Sequence, residues 1–385
     1  MNDREPPGSI WQTVYLVGKV CLRFVYVLLN NLYCIPTYLL WMILLLPLKK
    51  VKPQTYWMLE GLLFRWLLLM VSMWIQTNGY KIVEVGEDIS SCYNQECMVM
   101  VNHQSSSDVP MLFACLSEKA GGKLVEDMMW LMDKLFMWTN FGVVSLIHGD
   151  FFIQQGKHGR ENQLQLLEKH LNDVYLPQGR KWLVLFPEGG FLNKRRERSQ
   201  MFAKKNNLPH LELVALPRVG AMATILDKLA PRKTTENHAV LKSTEMNAVP
   251  ENKRMKWLVD ITVGYSNPQQ PLDLLNVCLG IQPPCTTTMY YRRFPVDDIP
   301  REMHALTEWM YDRFVEKEKL LSHFYKMGVF PSNPSPRCRL MDTPRTIRYS
   351  YRHLIAIHAF FACSTYVHYC AIACLCRYVA THVHS

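Results

Sequence analysis

The chain has 385 residues, 49% of them apolar and 20% charged, with 43 Lys and Arg against 33 Asp and Glu for a formal charge of +10. This composition excludes an intrinsically disordered chain and a collagen-like repeat. The twelve cysteines form no C-x-x-C pair. Several lie inside apolar runs, so they read as reduced core or bilayer thiols, not as zinc ligands or a disulfide framework.

In chain order the membrane signal comes first. From Phe24 to Leu48 there is no charged side chain, more than the roughly 20 apolar residues a helix needs to cross a bilayer. Asn30, Asn31 and Pro36 interrupt this run, which leaves a spanning helix and a kinked re-entrant one both open. The next apolar stretch, Trp57 to Ile75, carries Glu60 and Arg65 near its start and Trp66 and Trp74 along it. It reads as an interfacial or half-buried helix. A third run, His353 to Cys376, sits between Arg352 and Arg377 and reads as a spanning helix. The opening MNDREPPGS followed by so long an apolar run does not fit a cleavable signal peptide, so the N-terminal segment is expected to be retained. Basic residues flank the outer runs at Lys49, Lys50 and Lys52 and at Arg345, Arg348 and Arg352. By the positive-inside rule they place the intervening domain on the cytosolic side. Beside anionic lipid they also explain the basic charge better than nucleic-acid binding does, since no recognition motif for nucleic acid is present.

Between Asn78 and residue 330 the pattern changes to short apolar runs alternating with helical periods, which predicts a layered α/β domain with parallel pairing. Strands are expected at Cys97–Val101, Val143–Ile147, Trp182–Phe186, Leu213–Leu216, Trp257–Tyr265 and Thr287–Phe294. Helices are expected at Met128–Met137, Arg160–Leu171 and Arg301–Tyr325, and one should begin near Pro110. The stretch 230–256 is polar and reads as a surface insertion. Residues 331–352 read as a linker, 1–77 as N-terminal membrane-embedded or interfacial helices, and 353–385 as a C-terminal transmembrane helix.

Two stretches carry chemistry. Asn102-His103-Gln104-Ser105-Ser106-Ser107-Asp108 follows a buried-strand pattern and precedes a helix. Histidine accepts a proton near neutral pH, and a nearby carboxylate fixes its tautomer and supports the cation that forms. The same spacing also fits a loop histidine beside a helix-capping aspartate. Leu185-Phe186-Pro187-Glu188-Gly189-Gly190 is a strand ending in a glycine turn that lets backbone approach a ligand. The cationic Lys194, Arg195, Arg196 and Arg198 follow it; they suit phosphate, or simply form a solvated helix face. Trp130, Phe136, Trp138 and Phe141 could line an apolar tunnel but read more simply as core.

Taken in this order, N-H-x-x-x-x-D at Asn102–Asp108 and F-P-E-G at Phe186–Gly189 resemble the glycerolipid acyltransferase family. Gly142–Gly149 looks like its intermediate block, read as a strand, and Leu216-Pro217 like its closing proline block. The segments HGDFF, LFPEGGF and FVEKEKLLSHFY are most similar to the branch that reacylates lysophospholipids at the endoplasmic reticulum.

The resemblance implies a glycerolipid-acyltransferase-like α/β domain with membrane helices at both ends. The activity it implies is acyl transfer from acyl-CoA to a free hydroxyl of a lysophospholipid, with no resident cofactor or metal because the thioester is already activated. It further implies His103 as base, Asp108 as its support, and Asn102, Pro187, Glu188, Gly189, Gly190, Lys194 and Arg195 as the substrate-binding set. Glu188 and Gly189 would hold the glycerol or phosphate. Two departures from the family pattern bear on the acceptor: Gly190 stands where Thr or Ser is common, and Gly149, between His148 and Asp150, stands where an arginine usually grips phosphate. Three other readings remain open: a serine at 105, 106 or 107 as covalent nucleophile, a hydrolase, and an inactive lipid-binding scaffold.

Overall fold

Alternation of apolar residues along the strands builds a sheet with two buried faces. The computed structural model describes residues 10–383 apart from 118, 155, 157–159, 232–248, 267–271, 332–339, 342 and 349. Most of the polar stretch expected to be an insertion therefore lies outside the described residues. The sheet comprises β1 (Lys81–Gly86), β2 (Cys97–Val101), β3 (Met128–Asp133), β4 (Phe151–Ile153), β5 (Trp182–Leu185), β6 (Trp257–Tyr265), β7 (Thr286–Pro295) and β8 (Arg345–Thr346). Their order is β4-β3-β5-β2-β6-β7-β1-β8. All neighbours are parallel except β6–β7 and β1–β8.

In β2, Cys97, Val99 and Val101 enter one core and Met98 and Met100 the other, as the two-residue period of a strand requires. The first core is closed by the helices Pro53–Gln76 and Asp108–Leu116, the second by Arg160–His170, Gly220–Leu229 and Met303–Met327. Because β5, β2 and β6 are adjacent and parallel, their carboxyl ends open at one edge, where ligands of open α/β sheets bind.

Two assignments made from sequence are exchanged in the structure. Val143–Ile147 is not a strand but lies in the helix Asn140–His148, and Met128–Asp133 is a strand, not the start of a helix. Short apolar runs do not reveal their period, and the ends decide. Thr139 accepts the Gly142 amide as an N-cap, while Gly149 closes the helix at φ 93°. Leu213–Leu216 is not a strand, and the chain bends at Leu213 and Val214. Carboxylates take its amides instead: Glu318 accepts from Leu213 at 2.8 Å and Val214 at 3.1 Å, and Glu188 accepts from Ala215 at 2.8 Å. Arg345–Thr346, inside the stretch read as linker, pairs with β1.

Among the described residues three helices are long and apolar enough to cross a membrane, Ile10–Leu44, Pro53–Gln76 and Tyr351–His382, and they associate the chain with a membrane. The first runs unbroken through Pro36. The second, expected as an interfacial or half-buried helix, is buried along most of its length and packs on the domain.

Candidate active site

β2 ends at Val101, and the Asn102 side chain continues its pairing with β6. Its Nδ2 donates to the Val263 carbonyl at 3.1 Å and its Oδ1 accepts the Val263 amide at 2.7 Å. Gln104 Nε2 adds a bond to the same carbonyl at 2.8 Å. Fully buried and bonded to backbone through both side-chain atoms, Asn102 holds the loop.

The loop turns His103 back onto the first residue of the next helix. His103 Nδ1 lies 2.8 Å from Asp108 Oδ2. The same oxygen accepts the Ser105 amide at 2.9 Å, and Asp108 Oδ1 accepts the Tyr265 hydroxyl. Because a carboxylate accepts, the contact keeps a proton on Nδ1 and leaves the Nε2 lone pair available. Among the described residues Nε2 has no hydrogen-bond partner, and the imidazole side chain is 12% exposed. Phe186 stacks on the ring at 4.2 Å and Phe191 meets it edge-on at 4.6 Å. The arrangement is a buried carboxylate behind a histidine whose ring is flanked by two aromatic side chains.

Glu188, expected to hold substrate, is buried. Its Oε1 accepts the His103 amide at 2.6 Å and its Oε2 the Ala215 amide at 2.8 Å. Burial pushes its carboxyl up to about 8, against the pull of those two amides. The glutamate clamps the His103 loop to the segment before Pro217 through the amides of His103 and Ala215. Pro187 is also buried, and its carbonyl accepts the Arg218 amide at 2.8 Å.

Gly189 adopts φ 69°, where a Cβ would meet the Arg218 guanidinium at 3.0 Å; only glycine fits. At Gly190 a Cβ would stand 3.2 Å from Arg195 Cδ. Arg195 is half-buried, and its Nε donates to the Glu188 carbonyl at 3.1 Å. Lys194 and Arg196 are exposed on the helix Leu192–Lys205. Of the sequence-derived candidates, the structure brings His103, Asp108, Glu188 and Arg195 into one bonded group.

Two of the three serines are committed elsewhere. Ser105 Oγ donates to the Leu272 carbonyl, and Ser106 Oγ accepts the Leu274 amide at 2.9 Å. Ser107 is the N-cap of Asp108–Leu116 by position but makes no side-chain cap bond. Among the described residues none of the three hydrogen-bonds to His103.

His148 and Asp150, flanking the missing arginine, face inward. His148 is fully buried, with Nδ1 at 2.9 Å from Glu60 Oε1 and Nε2 at 2.8 Å from the Met128 carbonyl. Asp150 accepts the Trp130 amide at 2.8 Å, and burial pushes its carboxyl up to about 6. A Cβ at Gly149 would meet Gln178 at 2.8 Å and Val174 at 2.9 Å, so this glycine is packed and opens no room for a ligand. Trp130 is core, 4.5 Å from Phe113, while Trp138 is 81% exposed. Tyr265 was missed in the sequence as a site residue. Its place as the last residue of β6, next to β2 and parallel to it, is the signal that puts it at this edge.

Comparison with known families agrees with this geometry. The family described as Acyltransferase matches residues 81–218, and that described as Acyltransferase C-terminus matches 278–355. Human acyl-CoA:lysophosphatidylglycerol acyltransferase 1 is 46% identical over 85% of this chain and 86% of its own length. The mouse protein of that name is 47% identical over the same shares. The Caenorhabditis elegans putative 1-acyl-sn-glycerol-3-phosphate acyltransferase acl-12 is 28% identical over 76% of this chain and 70% of its own. With the N-H-x-x-x-x-D and F-P-E-G loops joined at one sheet edge and similarity running along most of its length, the chain belongs to the glycerolipid acyltransferase family.

Proposed function

We propose that this acyltransferase moves a fatty acyl group from acyl-CoA to the free glycerol hydroxyl of a lysophospholipid that retains its head group, lysophosphatidylglycerol or lysophosphatidylethanolamine. The observation that carries the reading is the His103–Asp108 pair, with Nδ1 held at 2.8 Å and Nε2 open. In the proposed step Nε2 takes the acceptor's hydroxyl proton while its oxygen attacks the thioester carbonyl. The tetrahedral intermediate then collapses, the carbon–sulfur bond breaks, and the proton passes from the imidazolium to the departing CoA thiolate. Asp108 steadies the imidazolium. Backbone amides near the start of the Asp108–Leu116 helix are the proposed donors to the oxyanion. The thioester is already activated, so the reaction requires no metal and no resident cofactor. Arg195, with Lys194 nearby, serves the phosphate of either substrate.

The head-grouped acceptor is supported by the names of the human and mouse relatives and by the inward-facing block around Gly149, which offers no arginine to a phosphate monoester. The endoplasmic-reticulum membrane, with the domain on its cytosolic side, is the proposed site of action. It rests on the basic flanks at Lys49–Lys52 and Arg345–Arg352.

The test is incubation of the purified full chain with labelled acyl-CoA, with and without lysophosphatidylglycerol. Labelled phosphatidylglycerol formed only with the acceptor is the expected result. Labelled free fatty acid alone would show a hydrolase, and unconsumed acyl-CoA an inactive scaffold.

A further inference from the structure

Asp108 accepts at both of its oxygens, and the donor on the second one comes from a distant part of the chain. Oδ2 serves His103 Nδ1 at 2.8 Å and the Ser105 amide at 2.9 Å, and Oδ1 serves the Tyr265 hydroxyl. Asp108 is fully buried and Tyr265 is 1% exposed. Tyr265 belongs to the same core as the helix that Asp108 opens. A buried phenol must find an acceptor, and any backbone carbonyl would have served. The fold gives it instead the one carboxylate that stands behind the histidine. Burial, with Asp108 beside it, keeps the phenol protonated well above its ordinary range, so it remains a donor wherever the enzyme works.

We propose that Tyr265 is a positioning residue for acyl transfer, which fixes the orientation of Asp108 and moderates the hold of that carboxylate on the His103 imidazolium. The inference rests on the reading of His103 as the base. A phenol that donates to Oδ1 draws charge away from Oδ2. Without it the carboxylate pulls harder on the imidazolium, and the base stays protonated to higher pH. The other charged or titratable groups nearby act at other atoms. Glu188 holds the His103 amide, Arg195 the Glu188 carbonyl, Tyr325 the Gln104 side chain at 3.1 Å, and Lys317 the Asp260 carboxylate. Among the described residues none of these four hydrogen-bonds to Asp108, so beside His103 the phenol is the side-chain donor on this carboxylate.

The experiment is the pH dependence of kcat/KM for Tyr265→Phe in the full chain, with acyl-CoA and lysophosphatidylglycerol, alongside its melting temperature and His103→Ala. Tyr265→Phe should lower kcat about tenfold, leave both KM values unchanged, and move the acid limb up by about half a pH unit. Site-specific ring-fluorinated tyrosine at 265, a stronger donor, should move the limb the other way without disturbing packing. An acid limb that stays in place in both variants overturns the proposal, whatever happens to the rate. Such a limb together with an inactive His103→Ala would remove the role of Tyr265 and leave the base. Turnover retained in His103→Ala would remove both.

Discussion

Two of the histidine–carboxylate pairs among the described residues are separated by almost the same distance. His103 faces Asp108 at 2.8 Å and His148 faces Glu60 at 2.9 Å. The difference lies at the second ring nitrogen. That of His103 is open at the sheet edge, whereas that of His148 is stoppered by the Met128 carbonyl. The His148 ring also lies flat on Phe64 with centroids 3.5 Å apart, and Arg180 donates to its carbonyl at 2.6 Å. A carboxylate behind an imidazole is therefore not what makes a base. The free nitrogen does, and the same pairing with that nitrogen spent becomes a pin between the Pro53–Gln76 helix and the domain.

Substitutions should separate the two pairs cleanly. Asp108→Asn keeps the shape but loses the charge behind the imidazolium, and turnover should fall by about 10²–10⁴ with little change in melting temperature. Glu60→Ala should do the reverse. Leaving Arg180 and His148 buried without their carboxylate is expected to cost about 3–5 kcal/mol of stability, read by thermal unfolding, while the surviving folded enzyme turns over near normally. A comparable loss of turnover per folded molecule in both variants would erase the distinction.

The inward-facing block around His148 predicts a smaller effect on the acceptor. Lysophosphatidylglycerol should be favoured over lysophosphatidic acid by roughly tenfold in kcat/KM, about one charge-assisted hydrogen bond, measured below micelle formation. Equal use of both would show that Arg195 or another cation replaces the missing arginine.

Glu188 supplies a pH effect of known sign. Its folded carboxyl titrates near 8 against an ordinary 4.5, so the neutral form is the one favoured by folding. The stability this contributes is fully present below about 4.5 and is lost as pH rises toward 8. The melting temperature should decline across that window, and Glu188→Gln should flatten the decline. The smallest expected effect is that of EDTA, which should leave activity unchanged because the proposed mechanism uses no metal. Activity lost to chelation and restored by zinc would contradict that.

The sequence made the catalytic loop legible because its parts are local. CMVMV reads as a buried strand, WLVLF as another, and the polar loops after them must emerge together if the strands are parallel neighbours. The FPEG loop was legible as a site element for the same reason, but the duty of Glu188 was not. Its two partners are the amides of His103 and Ala215, and backbone donors leave no mark in a sequence. Tyr265 lies 157 positions from Asp108 and Glu60 lies 88 from His148, so neither contact has a local signal. The exchange of helix and strand between VVSLI and MMWLMD came from a different cause. Both are short apolar runs that a buried helix or a buried strand accommodates equally, and the Thr139 cap and Gly149 turn tipped the balance.

The most direct test of the account is His103→Ala, assayed as purified full chain with labelled acyl-CoA and lysophosphatidylglycerol, with its melting temperature recorded on the same sample. The account predicts a loss of labelled phosphatidylglycerol formation of about 10²-fold or more at an unchanged melting temperature. Near-normal turnover by the folded variant would contradict it.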